Sequence, residues 1–356
     1  MAWVEMLRLM RTPAAFTLIL AVPAFQVVLF GYAIRPQSAD VRVAIAAPAP
    51  DAGLGATKRL RAETGVQVVG GVLPPGGAAQ AVRDGGADIA VEIPEVRSFS
   101  DPFAPIRPVR LIVDATNPAL TEAAVARLTA GYWQDAAQRG DVGTPPLVVE
   151  RLNNPDARSD WPFLAGLIGV TVMISMVMLG CLSLAREREG GTWEALMTLP
   201  ASRFELLAGK ALPYVLIGTV QGLSVLGIGA ALFALPLRGT VLALCGLLPL
   251  FAGVHFLIGY AISARARTQI AALQGAVAFY LPAMLLSGFL YPFETLPHWA
   301  QRIGAVFPLT HFVAAARDVL IRGAGAPAVL AALWPMLAAA GGISALALWA
   351  GSRRID

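Results

Sequence analysis

Apolar residues in this 356-residue chain come in uninterrupted blocks rather than in alternation. Residues 14–34, 162–185, 211–237, 239–264, 268–293 and 324–352 carry no Asp, Glu, Lys or Arg. Each block reaches the roughly 20 residues that a helix needs to cross the hydrocarbon core of a bilayer. The pattern therefore predicts six transmembrane helices. The first block is too long for the apolar region of a secretory signal, about 7–15 residues, and no convincing cleavage site follows it, so it is expected to be an anchor.

Between the first and second blocks the pattern changes. Residues 35–161 carry mixed charges and short runs of the kind that build strands and amphipathic helices. Strands are predicted at 41–46, 66–69, 87–93, 109–113 and 147–151, and helices at 58–63, 78–83 and 118–138. Strands alternating with helices predict a small α/β layer domain. The Pro-rich stretch 94–108 reads as an irregular crossing. Asp88, Glu92 and Asp114 invite a metal reading, but carboxylates at strand ends are usually solvated and no metal is expected there.

Composition reinforces the membrane assignment. Hydrophobic residues make up 56% of the chain and charged residues 14%, against about 25% charged in a soluble domain, and the mean hydropathy is +0.65. The net charge of +4 and pI near 9.4 are accounted for by basic residues flanking the spans, so nucleic acid is not an expected partner. Arg8 and Arg11, then Arg186, Arg188, Arg203 and Lys210, then Arg265 and Arg267, then Arg353 and Arg354 fall on one side of a six-span topology. The positive-inside rule assigns that side to the cytoplasm, with both termini. The 35–161 insertion then lies outside, as long domains translocate largely regardless of charge. Cys181 and Cys245 sit inside apolar blocks and read as small hydrophobes, without a disulfide or metal site.

Beyond the fifth block the outer side carries Ser287-Gly-Phe-Leu-Tyr-Pro-Phe-Glu-Thr-Leu-Pro-His-Trp299, leading into an apolar segment at 303–316. At about 14 residues that segment is too short to span and suits a re-entrant or interfacial helix. Tyr291, Phe293 and Trp299 are expected at headgroup level. Arg317 and Arg322 are expected to mark the outer water boundary.

On the inner side the segment Arg186-Glu-Arg-Glu-Gly-Gly-Thr-Trp-Glu-Ala-Leu-Met-Thr-Leu-Pro200 separates the second and third blocks. Trp193, Leu196 and Met197 give it an apolar ridge. Glu187, Glu189 and Glu194 are read as the opening of a short helix, where carboxylates suit the positive end of the dipole. Pro200 ends it. The plainer reading is an ordinary basic loop.

These two blocks carry a resemblance. The inner one resembles the Arg-Glu-x-Glu-x-Gly-Thr-x-Glu-x-Leu pattern of type-2 ATP-binding-cassette exporter permeases, met by Arg186, Glu187, Glu189, Gly191, Thr192, Glu194 and Leu196, with Pro200 and Lys210 in place. The outer one resembles that family's Ser-Gly-x-x-x-Pro pattern, met by Ser287, Gly288 and Pro292, followed by Pro297, Trp299, Pro308, Arg317 and Gly323. Leu199 and Leu296 depart mildly from it. The resemblance runs from end to end, including Asn154-Pro155, and is to the subgroup with a large extracytoplasmic domain after the first span, which contains multidrug efflux permeases.

What the resemblance implies is an α-helical polytopic membrane protein with six transmembrane helices. A small α/β extracytoplasmic domain would lie between helices 1 and 2, and a re-entrant segment between helices 5 and 6. Residues 1–34 would hold an interfacial elbow helix (2–11, with Trp3, Met6, Leu7 and Met10 on one face) and the first span. Residues 35–161 would form the outer domain. Residues 162–356 would form the remaining five helices, with a cytoplasmic coupling helix at 186–200. Two permease subunits, identical or different, would form the path, and two separate ATPase subunits carrying ATP and magnesium would dock on the coupling helix. Membrane lipid is a further partner, and a periplasmic adaptor is a candidate one. The location implied is the bacterial inner membrane.

The residues agree that the engine lies elsewhere. The one Gly-Lys pair, Gly209-Lys210, has Phe204 where a phosphate loop needs its first glycine and Ala211 where it needs Ser or Thr. No cofactor is expected on this chain. His255, His298 and His311 lack a carboxylate at metal-ligand spacing and there is no Gly-x-Ser-x-Gly elbow, so no catalytic residue is assigned. A membrane enzyme using an intramembrane histidine, or a sensor with an outer ligand-binding domain, stand as the alternatives. Gln26, Thr171, Ser175, Gln269 and Gln274 are candidate lining of the path. With no charge inside the spans, such a path suits amphiphilic, drug-like or lipid-like cargo, although each of these residues has helix packing as its plainer role.

Overall fold

The computed structural model describes residues 41–61, 65–94, 107–116, 118–139, 146–158, 160–191, 203–264, 266 and 268–352. The first apolar block, the amphipathic start and residues 192–202 lie outside the described residues.

The first part is a five-stranded sheet: β1 (Val41–Ala46), β2 (Val66–Val68), β3 (Ile89–Glu92), β4 (Val109–Asp114) and β5 (Leu147–Leu152), in the order β2-β1-β3-β4-β5. β1 runs parallel to β2 and β3, β4 is antiparallel to β3, and β5 is parallel to β4. The crossovers are helices α1 (Pro50–Leu60), α2 (Gly77–Arg83) and α3 (Pro118–Arg139). Val41, Val43, Ile89, Leu111 and Val113 pack one core with Val125 of α3. Ala44, Ala46, Ala90 and Ile112 pack the other with Ala78 and Val82 of α2. β1, β3 and β4 are thus buried on both faces, which is why they read as near-continuous apolar runs. α1 starts earlier and runs longer than expected.

The second part is helical: α4 (Asp160–Glu189), α5 (Arg203–Phe233), α6 (Val241–Ser263), α7 (Gln269–Leu286), α8 (His298–Gly304), α9 (Pro308–Arg317) and α10 (Ala326–Ser352). Among the described residues, α4, α5, α6 and α7 are long and apolar enough to cross a membrane. The bent pair His298–Gly304 and Pro308–Arg322 makes five if it counts as one broken span. α10 is apolar over Ala326–Gly342.

α4 is the central helix. Val172, Met173, Met176 and Val177 pack with Leu248, Phe251, Ala252 and Phe256 of α6. The two axes come close because a Cβ on Gly180 would fall onto the Phe256 carbonyl, and one on Gly259 onto the Val177 carbonyl. Cys181 donates to the Gly259 carbonyl at 3.2 Å in the same contact. Gly218 and Gly222 of α5 likewise abut Ala252, Met176 and Leu248. Gly341 and Gly342 do not: a Cβ on either would meet nothing within 4 Å.

Two sequence expectations are corrected. The apolar segment at 303–316 is two helices bent by 94°, not one. Pro308 cannot donate to the preceding turn, so it opens α9 instead of continuing α8. The fifth apolar block stops being helical at Leu286, because Gly288 takes a left-handed φ of 82°.

Candidate functional site: two polar junctions at the ends of one helix

α4 has 30 residues, about 45 Å at 1.5 Å per residue. The outer motif meets its first turns and the inner motif forms its last.

At the outer end, Ser287 closes α7 and its hydroxyl donates to the Met284 carbonyl at 3.1 Å. The left-handed Gly288 then turns the chain so that two carbonyls face Arg317. Arg317 donates to Gly288 O at 2.9 Å, Phe289 O at 3.1 Å and, across the fold, Pro162 O at 3.1 Å. A planar guanidinium with five donors suits three carbonyls in one place. Pro292 O accepts the Thr295 hydroxyl at 2.7 Å. Pro297 O accepts the first amides of α8 from Ala300 and Gln301, at 2.8 and 3.0 Å. Pro308 occupies the first turn of α9, whose Leu309 and Phe312 lie against Gly169 of α4. Trp299 is exposed, whereas Phe293 packs with Leu285, Leu286, Leu296 and Ala300.

Arg317 is half-buried among its carbonyl partners, and Arg322 is exposed. Arg322 joins the sheet to the bent helices, donating through Nε and Nη2 to Asp114 at 3.0 and 2.8 Å and through Nη1 to Asp318 at 2.6 Å. Asp114 at the end of β4 also accepts from the Thr116 amide at 3.0 Å, the Thr116 hydroxyl and Asn153 Nδ2 at 3.0 Å. Burial pushes the Asp114 carboxyl up, but Arg322, Thr116 and Asn153 together hold it below its ordinary range. Arg238, in the short turn between α5 and α6, donates to Asn153 O and to Ile321 O. The Arg158 and Trp161 side chains both reach Phe233 O, at 3.2 and 3.4 Å. Asn154 caps the approach to α4, bonding the backbone of Arg158 in both directions. Sequence reasoning missed Arg238 and Asn153. An arginine in a turn expected on the outer side runs against the positive-inside trend, and that contrast is the signal that could have singled it out.

At the inner end, Arg186, Glu187 and Glu189 belong to the final turn of α4 rather than to the start of a separate short helix. Nothing between Ala185 and Glu189 breaks a helix, and the stop comes at Gly190-Gly191, with Gly191 at a left-handed φ of 67°. Carboxylates are disfavoured at a helix C-terminus, and here each is answered by a neighbour. Lys210 of α5 pairs with Glu187. Glu189 accepts from Gln269 N at 3.0 Å and Gln269 Nε2 at 2.6 Å. Arg188 between them donates to Ala264 O at 2.6 Å and Ser263 O at 3.4 Å, the C-terminus of α6. Arg186 is exposed. Thr192, Glu194, Leu196 and Pro200 lie outside the described residues, as does Gln26.

The candidate path residues divide. The Thr171 hydroxyl donates to Leu167 O of its own helix at 2.7 Å. Ser175 accepts from Gln221 Nε2 of α5 at 2.9 Å. Gln274 is exposed on α7 and Gln269 is taken up by Glu189. Asp88 pairs with Arg42 at 2.7 Å and Glu92 with Arg110 at 3.0 Å. Among the described residues, no group of His, Cys, Asp or Glu could hold a metal ion. His255 is buried and meets Phe251 O at 2.9 Å, and His311 meets Ala305 O at 2.8 Å.

Residues 129–321 match the family described as "ABC-2 type transporter". This range, more than half of the chain, contains both motifs and α4. Among curated proteins the chain is similar to "Probable multidrug ABC transporter permease YbhR" of Escherichia coli (strain K12), 31% identical over 235 residues, 65% of this chain and 64% of that protein. It is similar to "Probable multidrug ABC transporter permease YbhS" of the same organism, 27% identical over 334 residues, 90% of this chain and 87% of that protein. It is also similar to "Linearmycin resistance permease protein LnrN" of Bacillus subtilis (strain 168), 27% identical over 218 residues, 58% of this chain and 56% of that protein. The match thus spans less than two thirds of YbhR's length. No solved structure matches the chain.

Proposed function

The chain belongs to the ABC-2 type transporter family, and on that premise we propose that it is the membrane-spanning permease subunit of an ATP-driven exporter of amphiphilic compounds. The observation that carries the reading is that the two motifs occupy opposite ends of α4: Arg186–Glu189 form its last turn, and Arg317 ties the Ser287–Pro292 turn to its first. A helix of about 45 Å joined to both motifs suits a protein in which an event on one side of a membrane must change the other.

In this reading the outer sheet domain lies outside the inner membrane and both termini lie in the cytoplasm. Residues 14–34 supply a first span, for six in all, and α8 and α9 form a re-entrant pair. Two ATPase subunits, holding ATP and magnesium, dock at residues 186–200. Two permease chains form the path, with Thr171, Ser175, Gln269 and Gln274 toward it. Three relatives, two named as probable multidrug permeases and one as a linearmycin resistance permease, support export of amphiphilic compounds. The uncharged spans support the same cargo class.

Topology is tested by Gln80→Cys and Arg186→Cys, each made in a chain lacking Cys181 and Cys245. An impermeant thiol reagent should label the first in intact cells and the second only after permeabilisation. Equal labelling of both would end the six-span topology. A co-expressed ATPase subunit should co-purify with the chain, and the chain alone should hydrolyse no ATP.

A further inference from the structure

The inner end of α4 does more than end a helix. Glu189 occupies the N-terminus of α7, where it accepts both the Gln269 amide at 3.0 Å and the Gln269 side chain at 2.6 Å. One residue earlier, Arg188 occupies the C-terminus of α6. Adjacent side chains of opposite charge thus cap two helices of opposite polarity, each at the dipole end that favours it. Thr268 completes the N-terminus of α7 by accepting the Ala271 amide at 3.1 Å. The neighbouring Glu187 is turned to α5 by Lys210.

We infer that Glu189 is a positioning residue of transport, which makes the last turn of α4 and the N-terminus of α7 move together. This rests on the permease reading above and names its internal transmission step. Gly190 and Gly191 end α4 directly beyond this turn, so a displacement of the turn is a displacement of the Glu189 side chain. There the bond from Glu189 delivers it to the first turn of α7, which carries Gln269 and, one turn on, the exposed Gln274. The Arg188 cap holds the end of α6 against the same turn, so the α6–α7 connection follows as a unit. Glu189 thereby acts inside the chain, and its charge need not meet the ATPase at all.

The test uses the full chain assembled with its ATPase subunit in lipid vesicles, with a fluorescent cationic amphiphile as cargo. The readout is cargo exported per ATP hydrolysed. Glu189→Ala should lower that ratio about fivefold, as expected for loss of a helix cap. The exchanged pair Glu189→Gln with Gln269→Glu keeps both bonds with donor and acceptor side chains reversed, and should recover most of the ratio. In parallel, backbone hydrogen exchange of the chain alone in nanodiscs should accelerate at residues 269–271 in Glu189→Ala and return in the exchanged pair. An unchanged export ratio in Glu189→Ala overturns the inference. So does an exchanged pair no better than Glu189→Ala, because a charge needed at 189 itself points to a direct contact with the ATPase. Absence of ATP-driven export by the unaltered complex instead defeats the permease reading, and the exchange measurement then still decides whether the cap exists.

Discussion

At its outer end α4 is gripped by a guanidinium with three carbonyl partners, beside a second arginine that bonds a carboxylate only 5% exposed. At its inner end Arg186 and Glu189 are exposed, and Glu187, Arg188 and Glu189 each reach the terminus or the flank of a different helix. The outer bonds join elements far apart in the chain into one body: β4, the β5–α4 connection, the α5–α6 turn and the bent helices. The inner bonds among the described residues sit at helix ends, and the Glu189 end of the turn is exposed, so geometry can change there with water replacing a partner. The contrast suits a device whose outer half keeps its shape while its inner half is moved. Burial explains the difference. Losing a partner costs a buried group its full desolvation, whereas water can replace a partner at an open helix end.

Breaking the outer grip should therefore have the largest effect. Arg317→Ala strips donors from Pro162 O, Gly288 O and Phe289 O, and should lower stability by about 3 kcal/mol or more, at about 1–3 kcal/mol for each stranded group. Thermal unfolding in detergent reads it. Arg317→Lys should recover only part, since an ammonium cannot hold the planar arrangement.

Arg322→Ala comes next. It leaves the Asp114 carboxylate buried beside Thr116 and Asn153 alone, costing up to about 3 kcal/mol, the low end for a broken buried pair because Arg322 is itself partly exposed. Limited proteolysis should then cut the sheet domain from the helices sooner, and adding Asp114→Asn should relieve part of the loss. Equal resistance in all three chains would remove the junction's role in joining the two parts.

On the inner side, Lys210→Met should cost less than Arg322→Ala, about 1–2 kcal/mol, because the Lys210–Glu187 pair is only partly buried and no carboxylate there is as enclosed as Asp114. Its effect should appear in transport more than in folding. A loss of stability matching Arg322→Ala would erase the contrast between the two ends.

The smallest effect is that of pH. The Asp114 carboxyl is held below its ordinary value, so the stability it contributes is fully present above about 3.9, the unfolded value. That contribution fades only as pH falls further, through the folded value. The proteolytic resistance of the outer junction should accordingly be flat from pH 5 to 8, and a drop within that window would assign the junction to another group.

Much of this architecture is legible in the order of residues. The strands follow from apolar runs such as Val109–Asp114, which lies between Pro108 and Pro118, and the helical blocks from their freedom from charge. The inner turn is misjudged in direction: Ala185 to Glu189 contains no helix breaker, so α4 simply continues, and Gly190-Gly191 is its readable end. The outer junction is a different matter. Arg322 and Asp114 lie 208 positions apart, and Arg317 gathers carbonyls from positions 162, 288 and 289. A backbone carbonyl has no residue type to betray it. Ser287, Gly288 and Pro292 are recognisable as a turn, but the purpose of that turn is visible only with its arginine in place.

On the proposed function, energy should enter this chain from a separate ATPase subunit. This is tested most directly by export of a fluorescent amphiphile from vesicles containing the chain, with and without that subunit. Export is expected only when both proteins and hydrolysable ATP are present, and none under an imposed proton or sodium gradient. Robust gradient-driven export by the chain alone, indifferent to ATP, would contradict it.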